Sequence, residues 1–123
     1  MSLKERGVMV KNEDEVRQFL NRFFPKFDIW GVLYINREKN LEALQMLGIT
    51  SAIRDSVIRS IEPSDYVETV QSLLLQGDND LWVFGKDYDG TELYIKIAMG
   101  APDSKTVCIS FHKAEHTIKY AFK

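Results

Sequence analysis

Four polar residues in the second half of the chain have side chains that could act together on a phosphate ester. Tyr94 and Lys96 are separated by one residue, and Ser110 and His112 repeat that spacing further along the chain. A phenol, an ammonium, a hydroxyl and an imidazole can donate hydrogen bonds to a phosphate, stabilise its developing charge and move a proton. Such groups suit a reaction in which a ribose 2′-hydroxyl attacks the adjacent phosphorus, so the expected substrate is RNA.

A β-hairpin is the element expected to position these side chains. Asp89-Gly90 readily adopts the left-handed backbone angles of a two-residue turn, which predicts strands over 81–88 and 91–99. The turn sets the register and pairs Tyr88 with Thr91, Gly85 with Tyr94, Phe84 with Ile95, Val83 with Lys96 and Trp82 with Ile97. Alternate residues of a strand share a face. In a third strand, every second residue is therefore expected beside Tyr94 and Lys96, namely Cys108, Ser110 and His112.

The opposite face of this three-stranded sheet is expected to be apolar and covered by helices. It carries Trp82, Phe84, Leu93, Ile95 and Ile97. For the polar face, the alternative to catalysis is a solvated surface, because antiparallel sheets often present one polar face to water. His112 and His116 have H-x3-H spacing, but two histidines without a third ligand rarely bind zinc. No metal or other cofactor is expected.

Most of the first half of the chain is predicted to be helical. Asn12 and Glu15 form a capping pattern before an apolar helical stripe, which is expected to stop at Pro25 because proline disfavours helical geometry in the residue before it. The further predicted elements are a strand over 27–35, a helix ending at Gly48 and a helix from Thr50 to Glu62. Residues 64–80 remain unassigned, and residues 1–11 are expected to be a flexible N-terminus. The predicted order α-β-α-α-β-β-β makes residues 1–123 a single α+β domain.

Composition restricts the class of protein. The single cysteine, Cys108, excludes an intrachain disulfide and fits a reducing cytoplasm. No run of residues resembles a secretion signal or a membrane span, so a cytoplasmic protein with no membrane partner is expected. The formal charge of −2 counts against nucleic-acid binding. Residues 81–123, however, carry 6 basic against 5 acidic residues, so an anionic ligand would favour the second half.

An ordered set of short motifs also runs through the second half of the chain. The motifs are Ser64-Asp65-Tyr66 after a helix, Trp82 at the start of a strand, Tyr94-Ile95-Lys96 and Ile109-Ser110-Phe111. Their order and spacing resemble the MqsR family of bacterial toxin ribonucleases, over Ile49 to Lys123. The resemblance implies a RelE-like fold, with an antiparallel sheet packed against helices. It further implies a type II toxin that cleaves mRNA without a metal, binds an antitoxin encoded beside it, and does not bind DNA on its own.

The resemblance also implies roles for individual residues. Tyr94 and Lys96 match a tyrosine and a lysine of the family, and His112 stands in place of a second lysine. His112 is then expected to act as acid or base, Tyr94 to transfer a proton or donate to the phosphate, and Lys96 to stabilise charge. The residues expected to bind substrate are Lys86, Ser110 and His116.

Two positions depart from the family pattern. Glu68 stands where the family has a lysine, and Val83 stands where it has a glutamine. A second hypothesis is therefore a non-catalytic module on the same fold, which binds an antitoxin or another partner without cleaving RNA.

Overall fold

Within residues 5–72 and 80–123, which the computed structural model describes, three helices pack against a six-stranded sheet. The strands are β1 (Glu5–Met9), β2 (Val32–Tyr34), β3 (Tyr66–Ser72), β4 (Leu81–Tyr88), β5 (Thr91–Ala98) and β6 (Thr106–Lys113). The helices are α1 (Glu13–Trp30), α2 (Glu38–Leu47) and α3 (Ser51–Arg59), and a 3₁₀ turn at Pro63–Asp65 precedes β3. The predicted α+β class is confirmed. None of the described helices is long and apolar enough to cross a membrane.

The strand order in the sheet is β1-β3-β4-β5-β6-β2. All neighbouring strands are antiparallel except β2, which lies parallel to β6. The sequence missed two strands: β1 lies in the segment 1–11 for which a flexible N-terminus was predicted, and β3 lies in the unassigned segment 64–80. Residues 73–79 of that segment lie outside the described residues.

Helix α1 continues through Pro25 to Trp30, and the predicted stop at Pro25 is wrong. The predicted strand over 27–35 is therefore reduced to Val32–Tyr34. A proline inside a helix costs about 3 kcal/mol. Phe23 is fully buried and Phe27 packs against the same core, and burial of each phenyl ring contributes about 1.5–3 kcal/mol. Packing on both sides of the proline thus offsets its local cost.

The ends of the other two helices follow the sequence signals closely. Gly48 adopts a left-handed conformation after α2, with φ of 65°, as predicted. The Thr50 side chain accepts a hydrogen bond from the first turn of α3, which confirms its capping role. Helix α3 ends at Arg59 and not at Glu62, because the Ser60 hydroxyl bonds back to a carbonyl of the last turn and the 3₁₀ turn begins at Pro63.

The hairpin at Asp89 and Gly90 is confirmed. Both residues have positive φ, 50° and 84°, as a two-residue turn requires. All five predicted pairs between β4 and β5 are present. One face of the sheet packs against α1 and α3 and contributes Phe84, Leu93, Ile95 and Ile97 to the main core, with Trp82 packed beside them. We call this the helix face and the opposite side the cavity face.

A β-bulge in β6 changes which residues lie on each face. Lys96 pairs with Ser110, but Ile97 pairs with Cys108, so Ile109 is an extra residue in the strand. Cys108 therefore lies in the main core, and its predicted place beside Ser110 and His112 is wrong. Strict alternation fails at a bulge, because two residues of one strand oppose a single residue of its partner.

The C-terminal residues 114–123, which we call the tail, cross the cavity face. The Ala114 amide donates to the Glu92 carbonyl at 2.9 Å, and the Tyr120 hydroxyl donates to the Glu92 carboxylate at 2.9 Å. Tyr120 lies directly over Gly85, where a Cβ atom would approach the Tyr120 hydroxyl to 2.5 Å. This face is partly apolar, with a second buried cluster of Val70, Leu81, Val83, Ala98 and Ile109. The tail and sheet together form the walls of a cavity.

Candidate functional site

A cavity of about 510 Å³ opens on the cavity face. Strands β5 and β6 form its floor, and β3, the start of α2 and the tail form its sides. The lining residues are Arg37, Lys39, Val67, Glu68, Tyr94, Lys96, Ser110, His112, Glu115, His116, Thr117, Ile118 and Lys119.

Five of the six site residues expected from the sequence line this cavity, and Lys86 does not. The five are Tyr94, Lys96, Ser110, His112 and His116. Lys86 lies on the helix face, where its ammonium donates to the Asp65 carboxylate and the Ser60 carbonyl, each at 3.0 Å. The structure therefore separates Lys86 from the other candidates, because its place in β4 points it to the opposite side of the sheet.

The rings of Tyr94 and His112 are stacked across neighbouring strands. Tyr94 pairs with His112 in the β5–β6 register, and their ring centroids lie 5.3 Å apart with an angle of 18° between the planes. His112 Nδ1 lies 2.9 Å from the Lys113 carbonyl oxygen. A carbonyl can only accept, so Nδ1 carries the proton in the neutral ring. The unprotonated Nε2 is then the nitrogen that can take a proton from a substrate.

Lys96 and Ser110 form the next pair along the same strands. The Lys96 side chain is 7% exposed and Ser110 is 1% exposed. Lys96 Nζ lies 5.8 Å from the centroid of the Tyr94 ring. A positive charge is thus fixed in the cavity wall, where water screens its field less than at an exposed surface.

The sequence missed two basic residues of the cavity, Arg37 and Lys39. Arg37 immediately precedes α2, and its Nη1 lies 3.4 Å from Ser110 Oγ, to which it donates. Lys39 lies in the first turn of α2 and lines the cavity beside it. Their basic character is visible in the sequence, but only the parallel pairing of β2 with β6 brings the start of α2 to the site. The sequence carries no direct signal for that pairing.

Asn40 holds the start of α2 against β6. Its side chain is 4% exposed and makes three hydrogen bonds. Nδ2 donates to the carbonyls of Ile35 at 2.9 Å and Ile109 at 3.0 Å, and Oδ1 accepts from the Phe111 amide at 2.9 Å. Ile109 is the bulge residue, so the buried Asn40 side chain satisfies backbone groups at and beside the bulge. The same hydrogen bonds hold α2, and with it Arg37 and Lys39, against β6.

The cavity carries more positive than negative charge, although the chain as a whole has a formal charge of −2. Its cations are Arg37, Lys39, Lys96 and Lys119, its carboxylates are Glu68 and Glu115, and it has two histidines. Lys39 Nζ donates to Glu115 Oε1 at 2.6 Å, and this hydrogen bond holds the pKa of the Glu115 carboxyl below its usual range. The balance of charge favours an anionic ligand.

A second, smaller cavity of about 350 Å³ adjoins the first. Lys39, His112 and Glu115 line both cavities. Met46, which lines the second one, is 82% exposed. The ion pair between Lys39 and Glu115 therefore stands at the boundary between two concave surfaces that share His112.

Glu68 and Val83, the two departures from the family pattern, are neighbours in the sheet. They pair across β3 and β4. Glu68 lines the cavity, whereas Val83 is 0% exposed in the second buried cluster. The site consequently has a carboxylate where the resemblance implies a cation, and an apolar side chain where it implies an amide.

Within residues 5–72 and 80–123, no three or more His, Cys, Asp or Glu side chains are grouped so that they could hold a metal ion. The chain matches no known family model, no curated protein sequence and no solved structure. The chemistry of the cavity is therefore the basis for assigning a function.

Proposed function

We propose that this chain is an endoribonuclease that cleaves mRNA by attack of the ribose 2′-hydroxyl, without a metal ion. One observation carries the proposal: an imidazole whose Nε2 can accept a proton lies stacked on a phenol, in a cavity where cations outnumber carboxylates. A single-stranded RNA presents the matching groups, which are a negative phosphodiester and an adjacent nucleophilic hydroxyl.

Each group has a defined task in the proposed reaction. His112 Nε2 removes the proton from the 2′-hydroxyl, whose oxygen then forms a bond to the neighbouring phosphorus. The bond from phosphorus to the 5′-oxygen breaks, and Tyr94 donates a proton to that leaving oxygen. Lys96 stabilises the additional negative charge on the phosphoryl oxygens. The products are a 2′,3′-cyclic phosphate and a free 5′-hydroxyl.

The biological setting we propose is a type II toxin-antitoxin pair of the MqsR kind. The resemblance of the ordered motifs supports this setting, since the matching Tyr94 and Lys96 both line the cavity. The mostly antiparallel sheet with α1 and α3 packed on one face is compatible with a RelE-like fold. In this setting a neighbouring gene encodes a protein that binds the toxin and silences it.

The decisive experiment compares RNA cleavage by the purified wild type with that by His112→Ala and Tyr94→Phe. General acid or base groups contribute about 100-fold to 10,000-fold in rate, so the histidine variant should lose at least about 100-fold. Arg17→Ala is a suitable control, because Arg17 is half exposed on α1 and pairs with Glu13 and Asp14. A DNA oligonucleotide of the same sequence should remain intact. Intact RNA with the wild type, or unchanged rates in both site variants, would overturn the catalytic proposal.

A second candidate function is a non-catalytic module that binds a partner on the same surface. Glu68 favours it, because a carboxylate on the cavity wall opposes a phosphodiester. Growth of cells that express the chain separates the two candidates. Arrest that the neighbouring gene product relieves, and that His112→Ala abolishes, supports the nuclease. Tight binding of the neighbouring gene product by a chain that neither cleaves RNA nor slows growth supports the module.

A further inference from the structure

We propose that Arg37 is a phosphate-binding residue of this site and acts together with Lys96. The inference rests on the proposed function and adds a residue from the first half of the chain, outside the region that resembles the MqsR family. The sequence predicted that Lys86 would be a further cation of the site. We assign that role to Arg37.

The positions of Arg37 and Lys96 relative to Ser110 support this assignment. Lys96 is the cross-strand partner of Ser110, and Arg37 Nη1 lies 3.4 Å from the Ser110 hydroxyl oxygen. Arg37 and Lys96 line the same cavity, although they come from different elements. Two cations in one cavity can hold the two non-bridging oxygens of a phosphodiester.

The partner of the Arg37 side chain differs from the partners of three other basic residues. Lys39 is paired with Glu115, Lys86 with Asp65, and Arg59 with Asp28. Arg37, by contrast, forms no ion pair with a carboxylate in the part of the chain that the structure describes, and its side chain donates a hydrogen bond to the neutral Ser110 hydroxyl. An anion that binds at Arg37 therefore does not have to displace a carboxylate first.

Guanidinium chemistry suits the task. Arginine presents five donors in a planar fork that matches the geometry of a phosphate. Half-burial of Arg37 at the cavity leaves the guanidinium accessible to a ligand.

The fold also holds the backbone of Arg37 in place. Its amide donates to the Ile35 carbonyl at 3.0 Å, and its carbonyl accepts from the Leu41 amide at 3.1 Å. The three hydrogen bonds of Asn40 then lock the following turn to β6. Asn40 is in this sense a positioning residue for Arg37, and a fixed backbone lowers the entropy cost of ordering the long side chain.

The experiment measures binding of an uncleavable RNA, so that binding and cleavage are separated. A fluorescent oligoribonucleotide with 2′-O-methyl groups lacks the nucleophile but keeps the phosphates. Its Kd is measured by anisotropy at several salt concentrations for the wild type, Arg37→Ala, Arg37→Lys and the control Arg17→Ala. Arg37→Ala should weaken binding about tenfold and reduce the slope of log K against log salt by about 0.7, the value for one lost contact to a single strand. Arg37→Lys should be intermediate, and circular dichroism verifies that each variant is folded.

The outcomes separate this inference from the proposed function. If the wild type binds and cleaves RNA while Arg37→Ala has the same Kd and salt slope, the inference fails and the nuclease stands. If the wild type does not bind the oligonucleotide, the proposed function fails and the inference fails with it. If Arg37→Ala weakens binding in a chain that never cleaves, the phosphate site is supported and the nuclease is overturned.

Discussion

Tyr94 and His112 are cross-strand partners whose rings lie 5.3 Å apart and nearly parallel. The contact restricts the imidazole, because the phenol ring covers one of its faces and the Lys113 carbonyl binds its Nδ1 at 2.9 Å. A histidine at the end of an exposed strand would rotate between several rotamers. Here two independent contacts orient Nε2, and a fixed base lowers the entropy cost of reaching the reactive geometry.

Lys86→Ala should lower stability without changing RNA cleavage. Lys86 pairs with Asp65 on the helix face, and loss of a partly exposed ion pair costs about 0.2–1 kcal/mol. Urea unfolding measures the first effect, and the cleavage assay measures the second. Normal stability combined with strongly reduced cleavage would indicate that Lys86 acts in the active site, which would contradict its position in the structure.

Asn40→Ala should destabilise the protein much more than Gln45→Ala on the exposed side of the same helix. The asparagine variant leaves the buried Phe111 amide and two carbonyls without their partner, and one unsatisfied buried group costs about 1–3 kcal/mol. Gln45 is exposed, so its removal should change the free energy of unfolding by less than about 0.5 kcal/mol. Equal midpoints in urea for the two variants would show that the three hydrogen bonds of Asn40 do not contribute to stability.

Gly85→Ala should displace the tail from the cavity face. The new methyl group would meet the Tyr120 ring, and overpacking of this kind costs about 1–3 kcal/mol. Limited proteolysis of the tail and urea unfolding both report the change.

Two further variants control for this substitution. Gly7→Ala introduces the same methyl group into a strand, at a position with no heavy atom within 4 Å, and should be nearly neutral. Adding Tyr120→Ala to Gly85→Ala makes room for the methyl group. In the Tyr120→Ala background, the glycine substitution should therefore change the free energy of unfolding very little. If Gly85→Ala lowers the free energy of unfolding equally with and without the Tyr120 ring, the new methyl group does not clash with that ring.

Stability should decrease in alkaline solution, in part because of Cys108. Burial raises the pKa of this thiol from 9.0 to about 12. As the pH rises above 9, the thiol ionises first in the unfolded chain, which lowers the free energy of the unfolded state relative to the folded state. Burial also raises the pKa of Tyr66, which acts in the same direction.

The free energy of unfolding, measured in urea at pH 7 and at about pH 11, tests this linkage. Cys108→Ala removes the titrating group and should show a smaller loss between the two pH values than the wild type. An identical loss in both proteins would mean that the thiol does not contribute.

The turn, the strand register and the helix caps that depend on local signals could be predicted from the sequence. The turn at Asp89 and Gly90 determined the register of β4 and β5, and the caps at Gly48 and Thr50 were found because each depends on one residue and its immediate neighbours. The convergence of Tyr94 and Lys96 with His112 was predicted from the alternation of residues along the third strand of the sheet.

Predictions from the sequence were wrong or incomplete where packing between residues far apart in the chain overrides a local preference. Pro25 should stop a helix, but the burial of Phe23 and Phe27 on either side of it continues α1. Arg37 reaches the site only because β2 lies parallel to β6, a contact between segments far apart in the chain. The strands β1 and β3 were missed for a related reason: they are mutual partners, and neither has a strong pattern alone.

The bulge at Ile109 has a consequence for how the lengths of related chains can differ. Ile109 has no partner of its own in β5, so its deletion would leave Cys108 opposite Ile97 and Ser110 opposite Lys96. Deletion of Phe111 with the bulge kept would instead place His112 opposite Ile95, where its imidazole would enter the main core. Homologues aligned to this chain should therefore show single-residue gaps at the bulge but not beside it.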